Sequence, residues 1–156
     1  MRALAALREI GADEIVALGD PDLNGRLERA FASGVDVVID HLWGVIAERI
    51  LIAGARAGPE ARPIRFVQVG AATGGEITLP GAVLRSSAID MMGSGIGSIP
   101  MDRLVAAICG VLHAAAPGGF RMATKTAPLA DVEWLWAEDG GTQRTVFLLA
   151  APNHLD

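Results

Sequence analysis

Apolar residues at Leu4, Leu7 and Ile10 recur at helical spacing until Gly11, and the short run Glu14 to Leu18 then has the character of a strand. Leu23 to Phe31 is helical again and closes around Ser33 and Gly34. Val35 to Ile39 is rich in β-branched residues, as a buried parallel strand is, and ends at the polar pair Asp40 and His41. Trp43 to Ala57 has helical spacing through Val45, Ile46, Ile50 and Leu51, and Gly58, Pro59 and Pro63 break the chain before a strand at Ile64 to Val69. After the glycine-rich turn Gly70 to Gly75 the pattern predicts a short helix at Pro80 to Arg85 and a strand at Ala88 to Met92. Gly93 to Gly97 forms a second glycine-rich turn. Ser98 can cap a helix running to about Ala115, with Pro100 in its first turn, and Pro117, Gly118 and Gly119 stop it. The rest reads as strand Phe120 to Lys125, helix Pro128 to Ala137, a turn at Asp139 to Gly141 and strand Arg144 to Leu149. Strands alternating with helices imply parallel βαβ units, so the predicted class is α/β.

Composition narrows the function classes. With 51% apolar and 20% charged residues, the 156-residue chain suits one sizeable core. Its 13 Lys plus Arg against 18 Asp plus Glu leave a charge of -5, with no basic cluster to neutralise phosphates, so nucleic acid is not an expected partner. No stretch reaches the roughly 18 apolar residues of a membrane span, and no membrane partner is expected. Cys109 is the lone cysteine and cannot form an intrachain disulfide, which makes a reducing cytoplasm the expected compartment.

Candidate chemistry lies where the strands end, because open parallel sheets bind ligands beyond their carboxyl ends. Those ends read Asp40-His41-Leu42-Trp43-Gly44, Gly70-Ala71-Ala72-Thr73-Gly74-Gly75 and Gly93-Ser94-Gly95-Ile96-Gly97, loops of little bulk where a flat ligand can approach the backbone. Asp40, His41, Gly70, Ala71, Gly93, Ser94 and Gly95 are therefore the candidate lining of a crevice. Tight turns alone also call for such glycines. Gly93, Gly95 and Ser98 miss the G-x-G-x-x-G pattern at its last position, and Glu76 stands where a P-loop requires lysine. No G-x-S-x-G presents a serine nucleophile. Cys109 and His113 share a helix face, but two ligands without others make no zinc site, so no metal is expected. Asp40 and His41, adjacent on a strand, point to opposite faces and are poorly placed to bond each other. Trp43, Trp134 and Trp136 read as packing residues, and Lys125, the one lysine, has no visible partner.

Several ordered blocks together resemble the medium-chain dehydrogenase/reductases, and within them the quinone-oxidoreductase-like and zinc-type alcohol dehydrogenase branch. The blocks are Leu4 to Leu18, Val35 to Gly44, Ile64 to Gly70, Met92 to Ser98, Pro128 to Glu133 and Arg144 to Leu148. The resemblance implies a nicotinamide-dependent oxidoreductase, usually using NADPH, that transfers hydride to a quinone, carbonyl or activated alkene. It also implies a departure: the family's N-terminal barrel-like domain, first Rossmann strand, glycine-rich phosphate loop and second strand do not precede Arg2. The expected fold is then a partial Rossmann-type doubly wound sheet, lacking its first two strands, at residues 2–118, followed by a returning segment of the catalytic domain at 119–156. In the Rossmann order 3-2-1-4-5-6, Glu14 to Leu18 is expected as strand 3 and Val35 to Ile39 as strand 4, whose free edge seeks another strand. The expected partners are an N-terminal half or a second copy meeting that edge, and a small-molecule substrate. The chain alone is expected to be inactive. A non-catalytic α/β interaction module derived from the same fold is the alternative.

Overall fold

A computed structural model of the chain describes residues 2–138 and 143–149. Its elements are α1 (Arg2–Glu9), α2 (Leu23–Gly34), β1 (Val37–Asp40), α3 (Gly44–Ala57), β2 (Ile64–Gln68), α4 (Gly81–Arg85), β3 (Ile89–Gly93), α5 (Met101–Ala115), β4 (Thr124–Pro128), α6 (Val132–Leu135) and β5 (Arg144–Leu148). The chain forms two compact units, one of Glu14–Cys109 and one of Met1–Asp13 with Gly110–Asp156. The turn expected at Asp139 to Gly141 lies outside the described residues.

In the 14–109 unit a parallel sheet runs in the order β1-β2-β3. Val37 lies opposite Arg65, Ile39 opposite Val67, Phe66 opposite Met91 and Gln68 opposite Gly93. Strands adjacent in sequence and joined by helices are the half of a Rossmann sheet that lies to one side of its switch point, so the fold is α/β and Rossmann-like in part. Helix α3 covers one sheet face because Ala47, Leu51 and Gly54 fall on one side of it at helical spacing. Leu51 and Ala47 pack with Phe66 and Val83, and Val38, Trp43, Ile50 and Ile89 close around them. A second cluster joins Phe31 of α2, Ala53 of α3 and Ile64 of β2. The other sheet face carries Val37 and Ile39, which are exposed.

The expected strand at Glu14 to Leu18 does not form. Its backbone is drawn into a side-chain clip, in which Arg26 donates to the Ile15 carbonyl at 2.9 Å and pairs with Glu14 and Asp20. A carbonyl taken by a guanidinium leaves a strand ladder incomplete. Asp20 accepts from the Asp22 amide and from Arg26, and these two bonds hold its carboxyl below the ordinary 3.8, while the same pairing raises Arg26.

In the other unit β4 and β5 pair in parallel, Thr124 opposite Arg144 and Pro128 opposite Leu148. The strand expected at Phe120 to Lys125 thus begins at Thr124. The Phe120 amide donates to the Ala115 carbonyl and the Gly118 amide to Ala114, so the residues after α5 satisfy that helix end before any ladder can start. The helix expected at Pro128 to Ala137 is a 3-10 turn at Leu129–Asp131 followed by the single turn α6. Trp134 and Trp136 are exposed rather than packed, and Lys125 meets Glu138 at 3.5 Å. Helix α5 starts at Met101 instead of just after Ser98, because the Ser98 hydroxyl serves the preceding turn: it donates to the Gly95 carbonyl and accepts from the Gly95 amide. Among the described residues no helix is long and apolar enough to cross a membrane.

Candidate functional site

The loops after β1, β2 and β3 leave the same end of a parallel sheet, and the first two are laced together by backbone. The Val69 and Gly70 amides donate to the Asp40 carbonyl at 2.7 and 3.2 Å, Ala72 to His41, and Thr73 to Leu42 at 2.8 Å. The Thr73 hydroxyl reaches the Leu42 and Trp43 carbonyls at 3.1 and 2.8 Å. Gly70 permits this approach, since a methyl group there would stand 2.9 Å from the His41 carbonyl oxygen. At Gly44, φ is +57° and a methyl group would press on the Thr73 carbonyl at 3.0 Å. The third loop joins through the Ser94 amide, which donates to the Gln68 carbonyl at 2.8 Å.

Asp40 is buried, and its carboxylate accepts the Leu42 amide at 3.1 Å and the Trp43 amide at 3.0 Å. It holds the turn into α3. His41, next along, is exposed and contributes its carbonyl to the second loop. The turn that Asp40 holds forces Trp43 to φ 57° and ψ -160°, a conformation costly for any residue with a side chain. The indole packs tilted against Phe66 with ring centroids 6.4 Å apart. Such strain persists only where the surroundings over-determine it, and it accumulates at ligand clamps.

These loops open on a crevice of about 430 Å³ lined by Trp43, Gln68, Ala71, Gly75, Met91, Met92 and Gly93. Of the candidates read from sequence, Ala71 and Gly93 line it, whereas Asp40, His41, Gly70, Ser94 and Gly95 lie on the loops around it. Trp43, Gln68, Gly75, Met91 and Met92 were missed. Gln68, Met91 and Met92 fall inside strands and carry no loop signal, and Trp43 read as packing. Its place two residues after the strand-end Asp-His pair was the available clue. The crevice offers an indole, two thioethers and one amide, Gln68, whose Nε2 donates to the Gly70 carbonyl at 3.0 Å. Its chemistry suits a flat, neutral ring that also makes one or two polar contacts. No basic side chain lines it.

A larger hollow of about 670 Å³ lies in the other unit between the ends of β4 and β5, but its lining from Thr126 to Ala130 with Leu148 and Leu149 brings no convergent polar groups. Among the described residues no three His, Cys, Asp or Glu side chains gather as for a metal.

No family model matches the chain, and no curated protein matches it at a significant level. Solved structures do. One is a protein of Mesorhizobium loti assigned as an NADPH:quinone reductase, with TM-score 0.63 and 19% identity over 84% of this chain and 38% of that one. Another is AibC, with TM-score 0.67 and 20% identity over 94% of this chain and 39% of that one. The CurK enoyl reductase aligns with TM-score 0.60 and 18% identity over 94% of this chain and 44% of that one. The chain spans about two fifths of the length of the solved structures it matches. At these identities the likeness establishes the fold, and the chain shares a Rossmann-like α/β fold with reductases of quinones and enoyl groups.

Proposed function

We propose that this chain is the C-terminal part of an NAD(P)H-dependent oxidoreductase that reduces a quinone, carbonyl or activated alkene, and that it acts only together with an N-terminal portion. The observation that carries this reading is the laced crevice at the carboxyl ends of three parallel strands, the ligand-binding end of such a sheet. NADPH is the proposed cofactor because one protein of the same fold is assigned as an NADPH:quinone reductase. When bound, the nicotinamide supplies hydride. The chain's own residues supply position: Trp43, Met91 and Met92 exclude water from one side of a ring, and Gln68 orients an amide or carbonyl substituent. The candidates Asp40, His41, Gly70, Ala71, Gly93, Ser94 and Gly95 shape this nicotinamide end, chiefly through backbone. Residues 2–118 form the nucleotide-binding part in this reading, 119–156 return to the catalytic domain, and the cytoplasm is the site of action.

A second reading is favoured by one feature. No titratable side chain lines the crevice, which suits a binding module without chemistry. The two readings separate in one experiment, NADPH oxidation with a quinone by the chain alone and after mixing with an N-terminal half of a related reductase. The chain alone is expected to turn over nothing and to bind NADPH weakly by calorimetry, since each charge-assisted hydrogen bond missing at the pyrophosphate is worth about 1.5 to 3 kcal/mol. Activity on mixing, lost with Trp43→Ala, supports the oxidoreductase reading. Tight NADPH binding with no turnover under either condition supports the module.

A further inference from the structure

Gln68 is the last residue of β2, and its side chain carries the one amide among the crevice residues. Alternate strand residues share a sheet face, so Gln68 stands on the face of Ile64 and Phe66, the face that α3 covers. Its neighbours in register are Asp40 on β1 and Gly93 on β3. Asp40 is committed to the Leu42 and Trp43 amides. Gly93 has no side chain, and a methyl group built there would meet nothing within 4 Å, so the space beside Gln68 is open on that side. Phe66, two residues earlier on the same face, packs against Trp43, the indole that walls the crevice. The orientation of the Gln68 amide follows from its partner. The Gly70 carbonyl can only accept, so at 3.0 Å it must meet Nε2 and not Oε1. The Gln68 backbone is held too, because its carbonyl accepts the Ser94 amide at 2.8 Å. Nε2 then has one hydrogen left, and among the described residues nothing donates to Oε1.

We infer that Gln68 is the specificity-determining residue of the crevice, and that it selects a flat ring carrying a primary carboxamide over a ring whose substituents only accept hydrogen bonds, such as a quinone. A primary carboxamide offers Oε1 a donor and Nε2 an acceptor. A ketone or quinone carbonyl offers an acceptor only, and its ring would cover Oε1 without pairing it. A site that presents a polar group to a ligand donor discriminates against the analogue lacking that donor, because the group is then cut off from water and left unpaired. The inference rests on the reading of the crevice as the seat of a ring in an oxidoreductase, and it narrows that reading. The ring that belongs here is the carboxamide-bearing one of nicotinamide, and the hydride acceptor is seated elsewhere.

Nicotinamide and 3-acetylpyridine test this directly, since the second carries a methyl group where the first carries its amide nitrogen. Their dissociation constants from the purified chain are read from the relaxation of each probe's own ring protons. Nicotinamide is expected to bind about tenfold more tightly than 3-acetylpyridine. Gln68→Met keeps the length of the side chain without its polar atoms, and is expected to bring the two affinities together with the far-ultraviolet circular dichroism unchanged. The wild-type comparison needs no variant, so it stands even if Gln68→Met does not fold. The proposal is overturned by equal affinities in the wild type, by tighter binding of 3-acetylpyridine, by binding of neither probe, or by a preference that survives Gln68→Met. Equal affinities leave the oxidoreductase reading standing, because they remove only the selection by Gln68. A preference that holds while the chain mixed with an N-terminal half turns over nothing keeps the role of Gln68 and removes the oxidoreductase reading.

Discussion

Residues 23 to 83 and the described residues from Gly110 onward are built from the same kinds of element, yet only the first region has an interior. Leu23, Phe31, Ala47, Leu51, Ala53, Ile64, Phe66 and Val83 are buried, whereas none of the described residues after Gly110 is. The difference lies in layering. Helices α2 and α3 stack over three strands, and alanines at 47 and 53 let the backbone of α3 approach Phe66 and Phe31. Two strands and one helical turn give β4 and β5 no second layer, and their residues alternate between exposed and half-buried. Secondary structure can be specified locally, but a core needs two packed layers.

The comparison breaks most decisively through a core truncation. Phe66→Ala is expected to cost about 3 to 5 kcal/mol in urea unfolding, against no more than about 0.5 for Leu148→Ala on β5. Equal costs would mean that both regions have cores. The next effect in size concerns the laced loops. Asp40→Ala removes the acceptor of two half-buried amides and is expected to lower stability by about 2 kcal/mol, with the indole fluorescence of Trp43 shifting as its turn relaxes. Thr73→Val deletes the hydroxyl bridge between the first two loops at a cost of about 1 kcal/mol. A change confined to amide exchange in residues 40–44 and 70–75 would show that the lacing is local.

The smallest effect is electrostatic. Asp20 has a depressed pKa in the folded chain, so its contribution is fully present above the ordinary carboxylate value of 3.8 and is lost as the pH falls through the lower folded value. Amide exchange of residues 14–22 is expected to quicken in that acid window in the wild type. In Asp20→Asn it should be fast already at neutral pH and lack the acid step. A wild type without the step would remove the Arg26 clip from the account of this segment.

Much of the architecture was legible in the chain. Helical spacing ending at glycine marks α1 and α2, β-branched runs mark β1 and β2, and their alternation implies a parallel sheet with binding loops at one end. Those signals are local, because helical hydrogen bonds join near neighbours and side-chain periodicity reports the buried face. The fate of Glu14 to Leu18 was not local. Its strand-like residues lacked a partner ladder and met Arg26 instead. The start of β4 waited on how the end of α5 satisfied its carbonyls, through bonds between residues four and five apart. The site divides in the same way. Glycine at 70, 93 and 95 announced loops without bulk, but whether Asp40 faced a substrate or two backbone amides depended on how the chain turned after β1. Trp43 and Gln68 became crevice residues only when segments about 25 residues apart were brought together. Sequence alone determined which stretches could be helix, strand or open turn. Tertiary structure decided which strands found partners and which side chains faced the crevice, because each of those outcomes is a hydrogen bond or contact between residues far apart in the chain, whereas Asp40 was consumed by amides two and three residues on.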